Sequence, residues 1–157
     1  MRTWDYGSAD TYFVTLVTRG RQRLFGDAAD NIMALSPAGE IAAEEWKQSA
    51  VLRSDVELDA FVIMPDHMHG IVFLNRGGAR PAPTSSLTSL IGCYKSAVSR
   101  RLGRPIWQRS FFDHIVRNEH DLDALRDYIE GNPGRWFVER ELPLRAGHAP
   151  PLHEGGL

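Results

Sequence analysis

The chain has 157 residues, 43% of them hydrophobic, and a formal net charge of −2, which suits one ordinary globular domain with its own core. No apolar run approaches the roughly 20 residues of a membrane-spanning helix, and the opening MRTWDYGSAD lacks the apolar stretch of a secretory signal, so the cytoplasm is the expected location. The single cysteine, Cys93, excludes an internal disulfide and a cysteine-built zinc site.

In chain order, residues 11–18, TYFVTLVT, are β-branched and aromatic and read as a strand. GRQRLFGDAAD interrupts it with glycines and charges. SPAGEIAAEEWKQSA then opens a helix, with Ser36 as N-cap and Pro37 at the first helical position. Residues 56–64, VELDAFVIM, form a second predicted strand. Pro65-Asp66 supplies a turn, and HMHGIVFL returns as a third strand, giving an antiparallel hairpin. NRGGARPAPTSS is a loop. It leads into SSLTSLIGCYKSAVSRRLG, where Leu87, Leu90, Ile91, Tyr94 and Val98 recur at helical spacing and Gly103 and Pro105 end the helix. IWQRSFFDHIVRN predicts a short strand with irregular ends. EHDLDALRDYIEGNPGRW predicts a last helix with Leu122, Leu125 and Ile129 as its stripe. The order β-α-β-β-α-β-α points to an α+β, ferredoxin-like split βαβ sandwich: one antiparallel sheet with helices packed on a face. A single domain over 1–142 and a loose tail over 143–157 are expected.

The modest net charge hides an asymmetry. Between His67 and Phe112 lie seven basic residues, Arg76, Arg80, Lys95, Arg100, Arg101, Arg104 and Arg109, and no Asp or Glu; the remainder holds 11 basic and 20 acidic residues. Such a segment suits a polyanionic partner, and equally a solvated helix face.

His67 and His69 are two apart on a strand, so they project to one face together with Ile71 and Phe73. Paired imidazoles on a rigid strand can hold a divalent cation, although two ligands do not complete a site and exposed histidines also occur at hairpin starts. On the last helix Tyr128 and Asn132 are four apart and therefore neighbours. Tyr128 lies at the border of the apolar stripe, where its hydroxyl can stay free, and Asn132 offers a carbonyl oxygen as third ligand. The alternative is a half-packed tyrosine and an asparagine capping the helix before Pro133. Of the other tyrosines, Tyr94 and Tyr12 share stripes with core residues and Tyr6 lies in the N-terminal segment. Asp66 reads either as a turn residue or as a carboxylate bearing on a metal. Arg100, Arg101 and Arg104 are candidate phosphate contacts or complements to a helix dipole. Trp107, Gln108 and Arg109 combine an aromatic face, an amide and a cation suited to bases, with core packing as the other role of Trp107. His114 reads as structural; His120, His148 and His153 read as bystanders.

MPDHMHGIV followed by IWQRSFFDHIVRNEHDLDALRDYIEGNPGRW resembles the single-tyrosine HUH transposases, and most closely the REP-associated tyrosine transposases. YFVTLVTRGRQRLFG and SPAGEIAAEEW fit the N-terminal half of the same family, so the resemblance runs from Tyr12 to Trp136. It implies a histidine–hydrophobic–histidine metal motif at His67, Met68 and His69, a nucleophile at Tyr128 and a polar third ligand at Asn132. It further implies a ferredoxin-like fold, magnesium or manganese, and cleavage of single-stranded DNA next to a hairpin through a 5′-phosphotyrosine link with a free 3′-hydroxyl. A nucleoid-associated protein is then expected, and a homodimer is compatible with the family. The turn departs from many relatives in reading Pro-Asp rather than Pro-Asn, and Glu130-Gly131 stands where relatives vary.

The chemistry is coherent with these residues. A divalent ion offsets the phosphodiester's charge as a Lewis acid, and a tyrosine–phosphate intermediate conserves the bond for rejoining. The rival readings are a DNA-hairpin binding protein that does not cleave and a metal-dependent phosphoesterase that uses water.

Overall fold

The computed structural model describes residues 9–29, 32–75 and 84–134. Tyr6, Arg76, Arg80, Trp136, His148, His153 and the expected domain boundary at 142 lie outside the described residues. Strand β1 (Ala9–Val17) is followed by a short hairpin of β2 (Gly26–Ala29) and β3 (Ile32–Leu35), helix α1 (Pro37–Leu52), and strands β4 (Val56–Met64) and β5 (His67–Asn75). Helix α2 (Thr84–Leu102), strand β6 (Phe112–Ile115) and helix α3 (Glu119–Glu130) complete it. No helix among the described residues is long and apolar enough to cross a membrane.

Four strands form one sheet in the order β4-β5-β1-β6, with every neighbouring pair antiparallel. The β1-α1-β4 crossover leaves a gap that β5 fills, and β5-α2-β6 leaves one that β1 fills. This is the split βαβ arrangement expected from the sequence. Local signals place the elements: the Ser36 hydroxyl accepts from the Gly39 N–H at 3.1 Å, and Gly103 ends α2 at a φ of 82°.

Both faces of the sheet are covered, where one covered face was expected. Tyr12, Val14, Leu16, Met68, Val72 and Leu74 pack with Trp46 of α1 and Leu87, Leu90, Tyr94 and Val98 of α2. The alternate residues Phe13, Ile71 and Phe73 pack with Leu122, Leu125 and Ile129 of α3. β1 and β5 are apolar at odd and even positions alike, so each strand demands a partner layer on both sides. Full burial of each α3 apolar side chain stabilises its docking by about 1.5–3 kcal/mol.

The β2–β3 hairpin replaces what the sequence suggested as an interruption. Its strands are four residues each, and their sequences, GDAA and IMAL, carry no polar–apolar alternation although their burial alternates, so tertiary contacts place them. Phe25 is fully buried; its N–H donates to Pro65 O at 3.1 Å, and its carbonyl accepts from the Ser36 N–H at 2.9 Å.

A register shift between Leu58 and Phe61 forms a bulge in β4. There Asp59 meets Arg126 of α3, with Nε–Oδ2 at 2.8 Å and Nη2–Oδ1 at 2.9 Å. Both side chains are nearly buried, at 11% and 10% exposure for Arg126 and Asp59. Burial pushes the Asp59 carboxyl up, but the hydrogen bonds from Arg126 and the Ala60 N–H, with the arginine's charge, outweigh it and leave it below the usual carboxylate range. Removing one partner of such a buried pair costs on the order of 3 kcal/mol.

Two outcomes follow from this packing. A Cβ at Gly70 would lie 2.6 Å from Cζ2 of Trp46, so Gly70→Ala is expected to destabilise by about 1–3 kcal/mol, read as a lowered denaturation midpoint in urea. Asp59 binds its proton less readily folded than unfolded, so its contribution is full above the unfolded value near 3.9 and is lost as pH falls through the lower folded one. Asp59→Asn should therefore be less stable than the parent at neutral pH and lose less stability on acidification, measured by chemical denaturation at several pH values.

Candidate metal and tyrosine site

The site is built on the α3 face of the sheet. β5 projects His67 and His69 to that face, as period-two alternation requires, and their ring centroids are 4.8 Å apart. Register sets their neighbours: Val17 lies opposite His67 and Thr15 opposite His69 on β1, with Met64 and Val62 opposite them on β4. Both imidazoles are buried, at 1% and 0% exposure.

Each ring is held through Nδ1. His67 Nδ1 lies 2.7 Å from Asp66 Oδ1, and His69 Nδ1 lies 2.8 Å from Thr15 Oγ1. Asp66 is itself fixed, its carbonyl accepting from the Thr18 N–H at 3.0 Å and the Thr18 hydroxyl at 3.1 Å. Asp66 is the turn residue, and its carboxylate also stands against His67. With Nδ1 engaged, Nε2 is the nitrogen of each ring able to take a metal, and a carboxylate behind a ligating histidine raises its basicity.

From the other side α3 lays Tyr128 against this pair. Its ring centroid is 5.4 Å from that of His69, edge to face, and 6.2 Å from that of Phe13. Phe13 in turn stacks on His69 at 5.2 Å. Tyr128 is half-buried. The other described tyrosines are unsuited to nucleophilic work. Tyr94 is 2% exposed on the opposite face, donates to Ala42 O at 3.0 Å, and has its phenol pushed far up by burial and by Glu45. Burial, with the charges of Asp10 and Asp113, also pushes the Tyr12 phenol up.

Asn132 is buried at 1% exposure, and its side-chain Nδ2 donates to Tyr128 O at 2.8 Å. The helix-capping use considered for it is thus real, and it ties the end of α3 to the tyrosine. The donor set suits a cation that takes imidazole nitrogen and oxygen together: two Nε2 atoms, with the Asn132 carbonyl oxygen as the amide's other end. Among the described residues no group of three or more His, Cys, Asp or Glu gathers as a metal site. A bound ion would therefore complete its shell with neutral or substrate oxygens.

The candidate DNA contacts divide. Arg100, Arg104 and Arg109 are exposed. The Arg101 guanidinium pairs at 3.0 Å with both Glu44 and Glu45 of α1, so it ties the two helices together. Trp107 takes the core-packing role that was its alternative. It is 5% exposed, tilted against Phe25 and Tyr94, and presents no free face for a base. Gln108 is half-buried; its N–H donates to Val17 O at 2.9 Å and its carbonyl accepts from Lys95 Nζ at 2.7 Å. His114 is structural as expected, with Nε2 3.0 Å from Asp121 of α3. Thr15 and Arg21 were missed by sequence reasoning. Arg21 Nε stands 3.4 Å from Asp66 Oδ2, and nothing in the local pattern of RGRQR links it to a turn 45 residues on.

No family model matches the chain. A proposed REP-associated tyrosine transposase of Haemophilus influenzae is 26% identical over 162 residues, covering 92% of this chain and 83% of that one. A REP-associated tyrosine transposase of Escherichia coli is 33% identical over 78 residues, or 49% of this chain and 44% of that one. Among solved structures, a REP-associated tyrosine transposase bound to a REP hairpin is similar with a TM-score of 0.62 and 26% identity, over 92% of this chain and 79% of that one. With the four-stranded sheet, the histidine pair and the facing tyrosine all in place, the chain is similar over most of its length to the REP-associated tyrosine transposases.

Proposed function

We propose that the protein nicks single-stranded DNA beside a hairpin and transfers the strand, with Tyr128 as nucleophile and His67, His69 and Asn132 as the holders of Mg2+ or Mn2+. The observation that carries this reading is the contact of the Tyr128 ring with His69 on the face where both histidines project. His67 and His69 are buried and Tyr128 is half-buried, so a phosphodiester approaches from the tyrosine side. The contact is made within one chain, which favours a tyrosine serving its own histidines.

Attack of the Tyr128 oxygen on phosphorus forms the 5′-phosphotyrosine bond and breaks the bond to the 3′ oxygen, which leaves with a proton as a hydroxyl. Reversal of the same step by a 3′-hydroxyl rejoins a strand. A bound divalent ion supplies Lewis-acid stabilisation of the charge on the phosphoryl oxygens. The protein's share is orientation: Asp66 and Thr15 fix the imidazoles, and Phe13 and Asn132 fix the tyrosine and its helix end.

Incubation with labelled single-stranded hairpin DNA and Mn2+ should give a covalent band on a denaturing gel that Tyr128→Phe abolishes while retaining DNA binding. Cleavage without an adduct, unchanged in that variant, would identify a water-using phosphoesterase. Tight binding without cleavage would identify a hairpin-binding protein. Independently of activity, Asp66→Ala should weaken Mn2+ binding by about 10–100-fold in a calorimetric titration, with the far-ultraviolet spectrum unchanged.

A further inference from the structure

The turn after β1 carries Arg19, Arg21 and Arg23 and no carboxylate before Asp27. It lies outside the acid-free stretch that begins at His67, yet the fold brings the two together. The Arg19 N–H donates to Ile106 O at 2.8 Å, and the Gln108 N–H to Val17 O at 2.9 Å. Since Val17 is also paired with His67, this turn and the exposed Arg104 and Arg109 sit at the histidine end of the sheet.

Arg21 is held there at a cost. Its φ is 53°, the only positive value at a non-glycine among the described residues, directly after Gly20 at 64°. Its N–H donates to Thr18 O at 3.0 Å, and the one proton of the Thr18 hydroxyl is shared between Gln22 O at 2.8 Å and Asp66 O at 3.1 Å, so the turn is closed on itself and on the β4–β5 turn. The guanidinium stands beside Asp66 without a hydrogen bond to it, Nε being 3.4 Å from Oδ2. Asp66 Oδ1 is already committed to His67. Nε and Nη2 of Arg21 are buried and make no hydrogen bond, while 27% of the side chain stays exposed. Backbone strain and unmet donors gathered at one residue mark a place built for a ligand. A guanidinium with spare donors suits a phosphate, whose oxygens would accept two N–H bonds at once when the partly exposed side chain turns outward.

We propose that Arg21 is a phosphate contact that holds the backbone of the DNA strand leading to the His67–His69 pair, with Arg19, Arg23, Arg104 and Arg109 supplying the surrounding positive field. This rests on reading the α3 face as a DNA-cleaving site. It adds to that reading the residue that positions the strand, a role distinct from holding the metal or attacking phosphorus.

The test is the salt dependence of binding to a labelled single-stranded hairpin DNA, by fluorescence anisotropy in a chelator so that no cleavage intervenes. Loss of one single-strand phosphate contact lowers the slope of log K against log salt by about 0.7 in magnitude. Arg21→Gln is expected to show that drop, with binding weakened about 10-fold or more at fixed salt. Arg21→Lys, which keeps the charge and loses the fork, should keep the slope and bind more weakly than the parent. Thermal unfolding midpoints within a few degrees of the parent's show that both variants fold. An unchanged slope in Arg21→Gln overturns the proposal, above all if Mn2+ affinity falls instead, since Arg21 would then act only by bracing Asp66. A parent protein that binds no DNA overturns it as well. If the parent binds DNA but forms no covalent adduct when metal is restored, the catalytic reading fails, and a lowered slope in Arg21→Gln still supports the phosphate contact.

Discussion

β5 is hydrogen-bonded on both edges, to β1 and β4, and buried on both faces from His67 to Leu74. Its register against β1 is the constraint from which the rest follows. A slip of one residue would turn His67 and His69 toward α1 and α2, put Met68 and Gly70 under α3, and part Gly70 from the Trp46 ring that lies against it. The turn before the strand is pinned accordingly. Thr18 binds the Asp66 carbonyl through its N–H and its hydroxyl, and Phe25 binds Pro65. Three backbone-directed bonds from one loop thus set where the histidines begin.

The two faces of that strand serve different ends. Toward α1 and α2 the sheet packs large apolar side chains closely, with Trp46 and Tyr94 meeting edge to face at 5.0 Å. Toward α3 the main apolar cluster gives way at the histidine end to the imidazoles, Thr15 and the Tyr128 ring, with Met64 and Ala28 forming a small cluster of their own beside them. α3 needs a fixed height and rotation for Tyr128 to meet His69, and apolar packing is non-directional. The bidentate Asp59–Arg126 pair supplies direction. A buried ion pair adds little net stability over an apolar substitute, but it admits few geometries.

Charge is distributed by the same logic. Arg101 is answered by two glutamates, and Arg126 by Asp59 and Asp123. These arginines join elements. The cations at the histidine end are of another kind: Arg104 and Arg109 are exposed, and Arg21 faces an aspartate that already serves His67. A basic count along the sequence merges the two groups, because it cannot see which carboxylates the fold brings alongside.

The sequence by itself determined what depends on local periodicity and capping. The alternation of a strand puts His67 and His69 on one face, the Leu122–Leu125–Ile129 stripe orients α3, and Ser36 with Pro37 starts α1; these rest on neighbours within a few residues and were legible. So was the proximity of Tyr128 to Asn132, one turn apart on a helix. Only the tertiary structure decided that Thr15 backs His69, that a bulge turns Asp59 toward Arg126, that Trp107 is core, and that RGRQR lies beside Asp66. It also decided that α3 takes the face opposite the other two helices, and that a hairpin forms from residues with too little pattern to announce one. Each of these is a contact between segments distant in the chain, fixed by strand register and loop closure, and no local window of sequence carries that information.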